Sequence, residues 1–184
     1  KTEKPKLIFI GRSRGYEWRD ALSVEKIGKA IKFIKDIDKN IIVMVDNCYG
    51  EFMDIVEPSD VNADIMVGSL IKNPGGGLAP TGGYIAGKEN VISQIAYRLT
   101  SPSIGMEIGS YTGGYQQFYQ GVFLAPHTTM NATKGSALFG QVFSDLGYQV
   151  CPNPTAKCND TVRSIKFNTK DELINQIISE EYRM

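Results

Sequence analysis

Asp46 closes the apolar run at residues 41–45, and Lys72, twenty-six positions later, follows the apolar run at residues 63–67 through Gly68-Ser69-Leu70-Ile71. An acidic residue at the carboxyl end of a buried parallel strand lies in the crevice where open α/β sheets hold their ligands, and a lysine after the next strand stands at the same rim. One reaction class needs that pair: an amine that forms an imine with an aldehyde cofactor, and a carboxylate that keeps a pyridinium nitrogen protonated so that the ring accepts electrons from a carbanion. Pyridoxal 5'-phosphate is such a cofactor. One Asp and one Lys near strand ends also arise by chance in α/β domains, so spacing alone leaves an ordinary pair of charged residues open as well. The glycines that follow, Gly75, Gly76, Gly77, Gly82 and Gly83, admit a phosphate. They match neither G-x-x-x-x-G-K-[ST] nor G-x-G-x-x-G opening a helix, which disfavours P-loop and Rossmann nucleotide sites.

The elements that must position these residues are written in the hydrophobic pattern. Leu7-Ile8-Phe9-Ile10, between Pro5 and Gly11, predicts a short strand buried on both faces. Ser23 predicts an N-cap, and Ile27, Ala30, Ile31, Ile34 and Ile37 follow the three-four spacing of an amphipathic helix. With the run at 41–45 this makes a βαβ unit, whose right-handed crossover sets the two strands parallel. A third strand is expected at 63–67 and a fourth at Tyr84-Ile85-Ala86. Val91, Ile92, Ile95, Ala96 and Leu99 mark a helix that should stop before Ser101-Pro102, and a domain change is placed in the glycine-rich stretch that follows.

Beyond it, Tyr115, Phe118, Tyr119 and Val122 predict a helix broken by Pro126. Leu138, Phe139, Val142, Phe143 and Leu146 predict another that ends at Gly147. A strand at 148–150, a Pro- and Asn-rich loop, a strand near 162–167, and a helix opened by the capping box Thr169-x-x-Glu172 complete the pattern.

Composition narrows the function classes. Twenty Lys+Arg against twenty Asp+Glu leave no broad basic field for a nucleic acid or an anionic membrane. The longest apolar stretches are far shorter than the roughly 20 residues of a membrane-spanning helix, and Lys1 to Lys6 do not resemble a signal peptide. The expectation is a soluble, cytoplasmic protein without nucleic-acid or membrane partners. Cys48, Cys151 and Cys158, an odd count without a C-x-x-C pair, suggest free thiols and no metal knuckle.

The motifs carry a resemblance. Val45-Asp46-Asn47-Cys48-Tyr49 and Ala63-Asp64-Ile65-Met66-Val67-Gly68-Ser69-Leu70-Ile71-Lys72 resemble the D-N-x-[FY] and A-D-I-V-x-x-S-x-T-K segments of the Cys/Met-metabolism pyridoxal-phosphate enzymes. Ser13-Arg14-Gly15-Tyr16, Asp46-Asn47-Cys48-Tyr49-Gly50-Glu51-Phe52 and Gly68 to Gly77 resemble more closely the aluminium-resistance branch, described as cystathionine β-lyase-like or methionine γ-lyase-like. The similarity runs from about Lys4 to at least Val150.

The resemblance implies fold type I, an α/β architecture whose parallel-rich large-domain sheet is flanked by helices and followed by an α+β C-terminal domain. Residues 1–109 would be part of the cofactor-binding domain, and 110–184 linker helices and the beginning of the second domain. The chain looks like a fragment, since the aromatic that stacks on the ring and the arginine for the substrate carboxylate are not recognisable in it.

By the resemblance Lys72 is the Schiff-base lysine, Asp46 the partner of the pyridine nitrogen, and Ser69 a phosphate-binding hydroxyl. Asn47 would orient Asp46 or touch the 3'-oxygen, with a turn role equally open. Ile71 replaces a phosphate-binding threonine and Asn73 onward lacks the usual G-H pair, so backbone N–H groups of Gly75, Gly76 and Gly77 are expected to complete the phosphate contacts.

The implied activity is a carbon–sulfur lyase acting on a cystathionine- or methionine-type amino acid by imine formation, Cα deprotonation and β- or γ-elimination. Transamination and a non-catalytic remnant of the fold are the alternatives. Like its relatives the protein would be a homodimer or homotetramer, with the stretch from Gly105 to Tyr119 as the expected interface, or else a core-facing helix after a linker. Arg12 and Arg14 could clamp an anion or be solvated loop charges. Tyr16 and Tyr49 could touch the cofactor or pack, Cys48 could react or be inert, and His127 is expected to cap a helix start.

Overall fold

The computed structural model describes residues 4–99, 103–107, 109 and 111–181. Its elements are β1 (Leu7–Gly11), α1 (Val24–Ile37), β2 (Ile42–Asp46), β3 (Ile65–Ser69), β4 (Gly83–Gly87), α2 (Glu89–Leu99), α3 (Gln116–Asp145), β5 (Gln149–Cys151), β6 (Ser164–Lys166) and α4 (Lys170–Glu181). The first four strands form one sheet in the order β1-β2-β3-β4, and β5 and β6 a separate antiparallel pair. β1, β2 and β3 are parallel, with Gly11 opposite Asp46 and Asp46 opposite Val67, while β4 runs antiparallel to β3. The molecule is thus a mixed α/β structure with a parallel-rich sheet. No described helix is long and apolar enough to cross a membrane, and among the described residues no three His, Cys, Asp or Glu side chains cluster as metal ligands.

Ser23 caps α1 as its sequence indicates, its hydroxyl accepting the Lys26 N–H at 3.2 Å. The apolar stripe of α1 then covers one sheet face, where Ile27, Ile31, Val43, Val45 and Ala63 form the buried core. Each of these Ile and Val side chains removed from water contributes roughly 1.5–3 kcal/mol. Gly28 lets the helix lie close, because a Cβ there would touch the Val61 side chain. β1 departs from expectation: Leu7 and Phe9 point to the other face and are exposed, Phe9 by 55%. A short, wholly apolar run does not say which faces are covered, and α1 covers only one.

α3 is a single 30-residue helix with Pro126 inside it, where two helices separated at the proline were expected. Pro126 removes one N–H from the helical ladder, but Gly121, Ala125 and Thr129 on the same side are buried, and that contact holds the axis through the missing bond. His127 therefore lies in mid-helix, exposed, with its Nε2 3.0 Å from the Asn131 amide nitrogen, and caps nothing. Farther along, Phe143 packs against Tyr148 and Phe167, which brings β5 and β6 onto the helix. α4 starts at the expected cap, with the Thr169 hydroxyl accepting the Glu172 N–H, although the Glu172 carboxylate reaches the N–H of Asn168 instead of Thr169. Ser101-Pro102, the expected stop of α2, lie outside the described residues.

Asp64, just before β3, ties the layers together. One carboxylate oxygen accepts Lys35 Nζ at 2.6 Å and the Val43 N–H at 2.7 Å, and the other accepts Lys88 Nζ at 2.6 Å. Burial opposes its charge, but the hydrogen bonds of Lys35, Lys88 and Val43 outweigh it and hold the carboxyl below its ordinary value. A depressed folded-state pKa gives stability that is present above the ordinary carboxylate range and lost as pH falls through the depressed value. Asp64→Asn is expected to cost about 2 kcal/mol at pH 7, measured by chemical denaturation. The deficit should shrink as both proteins are acidified.

Candidate active site

The carboxyl ends of β1, β2 and β3 form one rim, and the pleat sorts its side chains. Successive strand residues face opposite sides, so Asp46, with its partner Val67, and Ser69 share one face, while Asn47 and Gly68 share the other. The β2–β3 ladder continues one step past the strand, the Asn47 N–H reaching the Val67 carbonyl at 2.8 Å. The chain then turns. One Asp46 carboxylate oxygen accepts the Cys48 N–H at 3.0 Å, and the Gly50 N–H closes on the Asn47 carbonyl at 2.8 Å. Tyr49 takes a left-handed backbone conformation, φ 67°. Past β3 the Lys72 N–H bonds the Ser69 carbonyl, and Lys72 Nζ stands 4.3 Å from the centre of the Tyr49 ring.

Asp46 and Ser69 thus share one face of the rim, and Cys48 and Tyr49, in the turn after Asp46, stand against Lys72. Cys48 lies within interaction range of both Asp46 and Lys72. Burial pushes its thiol up, and the hydrogen bond and charge of Asp46 push it further, so Cys48 stays a protonated, unreactive thiol at neutral pH. Burial disfavours the Lys72 ammonium, but its interactions with the Cys48 and Tyr49 side chains prevail and its pKa is raised. The amine is a cation at neutral pH.

The opposite side holds a buried polar network that the sequence does not announce. Arg12 NH1 donates to Asn47 Oδ1 at 2.7 Å and to Glu57 Oε2 at 3.1 Å, and Asn47 Nδ2 donates to the same Glu57 oxygen at 2.9 Å. Tyr84 joins through its hydroxyl, which donates to Glu51 Oε1 at 2.9 Å, and Asn73 reaches the Glu51 carbonyl at 3.0 Å. Burial lifts the Glu51 carboxyl to about 7, and it lifts the Tyr84 hydroxyl as well, with the Glu51 charge adding to it. Glu51 Oε2 has no hydrogen-bond partner, which a neutral carboxyl tolerates better than a carboxylate. Glu51, Glu57 and Tyr84 escape a reading based on titratable residues near strand ends. Their signal is the bare Cα of Gly50 and Gly68, where a Cβ would overlap the Arg12 side chain, and Glu51 and Tyr84, respectively.

Asn47 is fully buried in that network, so its amide is engaged by Arg12 and Glu57 on the face away from Lys72. Arg12 and Arg14 are each 1% exposed and are not solvated loop charges. The Arg14 guanidinium donates to the carbonyls of Glu17 and Cys151. Tyr16 is fully exposed.

Gly75 and Gly76 serve close packing. Their N–H groups are donated to the Lys72 and Asn73 carbonyls, which leaves neither for the phosphate the sequence suggests. A Cβ on Gly75 would overlap the Leu70 carbonyl, and one on Gly76 the Gly121 carbonyl of α3, with φ 56° as a second bar to a side chain there. A cavity of about 630 Å³ lies between β4 and α2, lined by Val67, Ile85, Ile92, Ile95 and Met106 among others.

Comparison with known proteins places the chain in a family. The family model for methionine gamma-lyase matches residues 1–181. The uncharacterized protein YnbB of Bacillus subtilis is 46% identical over 171 residues, which are 93% of this chain and 41% of that one. A crystal structure of a carbon-sulfur lyase involved in aluminium resistance from Clostridium novyi superposes with a TM-score of 0.87 at 51% identity, covering 92% of this chain and 40% of that one. A candidate cystathionine beta-lyase involved in aluminium resistance from Listeria monocytogenes gives 0.90 at 48% identity, covering 95% of this chain and 43% of that one. The chain thus spans about two fifths of these relatives.

The network's chemistry has a pH signature. Because folding raises the Glu51 pKa to about 7, the folded chain keeps a proton that the unfolded chain releases. The resulting stability is full below the ordinary carboxylate pKa and declines as pH rises to about 7. Glu51→Gln, permanently neutral, is expected to remove that decline and to exceed the native protein in stability by roughly 2–3 kcal/mol at pH 8. Parallel denaturation curves of the two proteins between pH 5 and pH 8 measure it, and an equal pH dependence would contradict a proton on Glu51.

Proposed function

This chain belongs to the methionine gamma-lyase family, and on that premise we propose that it forms part of the pyridoxal-phosphate site of a carbon–sulfur lyase. The single observation that carries this reading is that an amine, Lys72, and a carboxylate, Asp46, both stand against Cys48 at the rim, with Ser69 on the same strand face as Asp46. Among the described residues no side-chain hydrogen bond occupies the Ser69 hydroxyl. The donor set fits the cofactor at three points: amine to aldehyde, carboxylate to ring nitrogen, hydroxyl to phosphate. Residues 1–109 are assigned to the large domain of fold type I and 110–184 to its linker helix and the start of the second domain.

When bound, pyridoxal phosphate supplies an electron-accepting ring that spreads the charge of a carbanion at the substrate Cα. Asp46, its carboxylate held by the Cys48 N–H, would keep the ring nitrogen protonated. Asn47 acts from the far face, fixing the residue next to Asp46 through Arg12 and Glu57. Lys72 Nζ is the group that would accept the Cα proton and return one to the leaving group. Tyr49, below the ammonium, holds the protonated form in the intervening step. A thiol would then leave from the β or γ carbon of a sulfur amino acid, and one water would hydrolyse the remainder to a keto acid and ammonia.

The family's homo-oligomeric assembly extends to this protein as part of the same proposal. Tyr115 and Tyr119, both exposed, are its interface residues, and Ile108 and Ser110 of that stretch lie outside the described residues.

In the intact protein, borohydride is expected to fix the cofactor's mass on the Lys72 peptide, and Lys72→Ala to lose both that label and turnover. Asp46→Asn should retain label but fall by about two to four orders of magnitude in turnover. Release of thiol and ammonia, assayed together, separates elimination from transfer of nitrogen to a keto acid. Undiminished lyase activity in Lys72→Ala refutes the assignment.

A further inference from the structure

We propose that Asp160, on the loop between β5 and β6, is a positioning residue for Lys72. It anchors the turn after β2 so that the Tyr49 ring stays beneath the Lys72 amine. The inference rests on the reading of Lys72 as the reacting amine and adds a remote residue to that site.

Tyr49 is an aromatic residue in a left-handed conformation, φ 67°, which bulky side chains adopt only when their surroundings hold them there. The restraint comes from far along the chain. The Thr161 N–H donates to the Tyr49 carbonyl at 3.1 Å. Its neighbour Asp160 is 2% exposed and collects three donors, with one carboxylate oxygen accepting the Ser13 hydroxyl at 2.8 Å and the Arg14 N–H at 3.2 Å, and the other accepting the Val162 N–H at 3.1 Å. Asn159 adds a bond to the Ala21 carbonyl at 3.3 Å. One carboxylate thereby locks the exit of β1 to the loop whose next residue grips the exit of β2.

The loop is itself braced. Arg163 donates to the Pro152 carbonyl at 2.7 Å and to the Ser136 hydroxyl of α3 at 3.3 Å. Rigid elements on both sides thus define where Thr161 stands, and Thr161 defines where Tyr49 stands. Only an acceptor on both oxygens satisfies the three donors. The amide of an asparagine would set an NH2 against an N–H or O–H, so Asp160→Asn should disturb the anchor nearly as much as Asp160→Ala.

The test reads the Lys72–Tyr49 contact on cofactor-free intact protein. Trace acetic anhydride labels each lysine in proportion to its free-amine fraction and access, and peptide mass spectrometry reads each rate. Exposed Lys26 is the reference, and Lys35, bonded to Asp64, reports unfolding. Tyr49→Leu removes the ring and should raise the Lys72 rate about fivefold, the worth of one cation–π contact. Asp160→Ala and Asp160→Asn are expected to approach that rise with Lys26 and Lys35 unchanged, and Ser13→Ala, which deletes one of the three donors, to show a smaller rise in the same direction. If Asp160→Ala also frees Lys35, the protein has unfolded and Ser13→Ala decides.

A native Lys72 rate in the folded Asp160 variants, or in Ser13→Ala where it decides, overturns the proposal, as does an unchanged rate in Tyr49→Leu. Because the labelling is blind to cofactor, these outcomes are distinct from a failure to trap cofactor on Lys72, which would overturn the function reading alone.

Discussion

Side chains at successive strand positions point to opposite faces, and at the end of β2 this constraint separates Asp46 from Asn47. Asp46 turns toward the face where Ser69 stands. Asn47 turns toward Arg12, Glu57 and Tyr84, where its amide is fully buried and hydrogen-bonded. Two adjacent residues of similar size thus do unlike work. Burial of the second immobilises the backbone that carries the first, because a buried amide that leaves its partners strands several polar groups at once. The geometry of the proposed site is inherited from the network beneath it.

Electrostatics divides along the same line. On the open face the charges remain: Lys72 is a cation above an aromatic ring, Asp46 accepts a backbone N–H, and the thiol between them stays protonated. On the buried face burial opposes charge, so Glu51 titrates near 7 beside a tyrosine whose hydroxyl resists ionisation, and one cation, Arg12, faces Glu57. Burial of one charged pair with hydrogen bonds on several sides is tolerated where a lone carboxylate is not.

The glycines after Lys72 are where chemistry and packing were hardest to tell apart. A glycine run after a lysine suits a phosphate as well as a close crossing of backbones, because both need the missing Cβ. The second use is realised at Gly75 and Gly76, where the loop lies directly on Gly121 of α3. That contact also explains why α3 continues through Pro126: the buried side of the helix around Gly121 and Ala125 is braced by the loop that carries Lys72.

The sequence by itself determined the βαβ unit, its Ser23 cap, the strand ends and the placement of Asp46 and Lys72 at one rim. These follow from local periodicity, and a recurring motif fixes their spacing. Only the tertiary structure decided that β1 is covered on one face, that α3 is one helix, and that Arg12 and Arg14 are buried. It alone joined Glu51, Glu57 and Tyr84 to Asn47, and brought Asp160 to Ser13 across 147 positions. Each of these depends on which distant segment packs where. A local pattern can require a polar or apolar neighbour, but it does not say which residue that neighbour is.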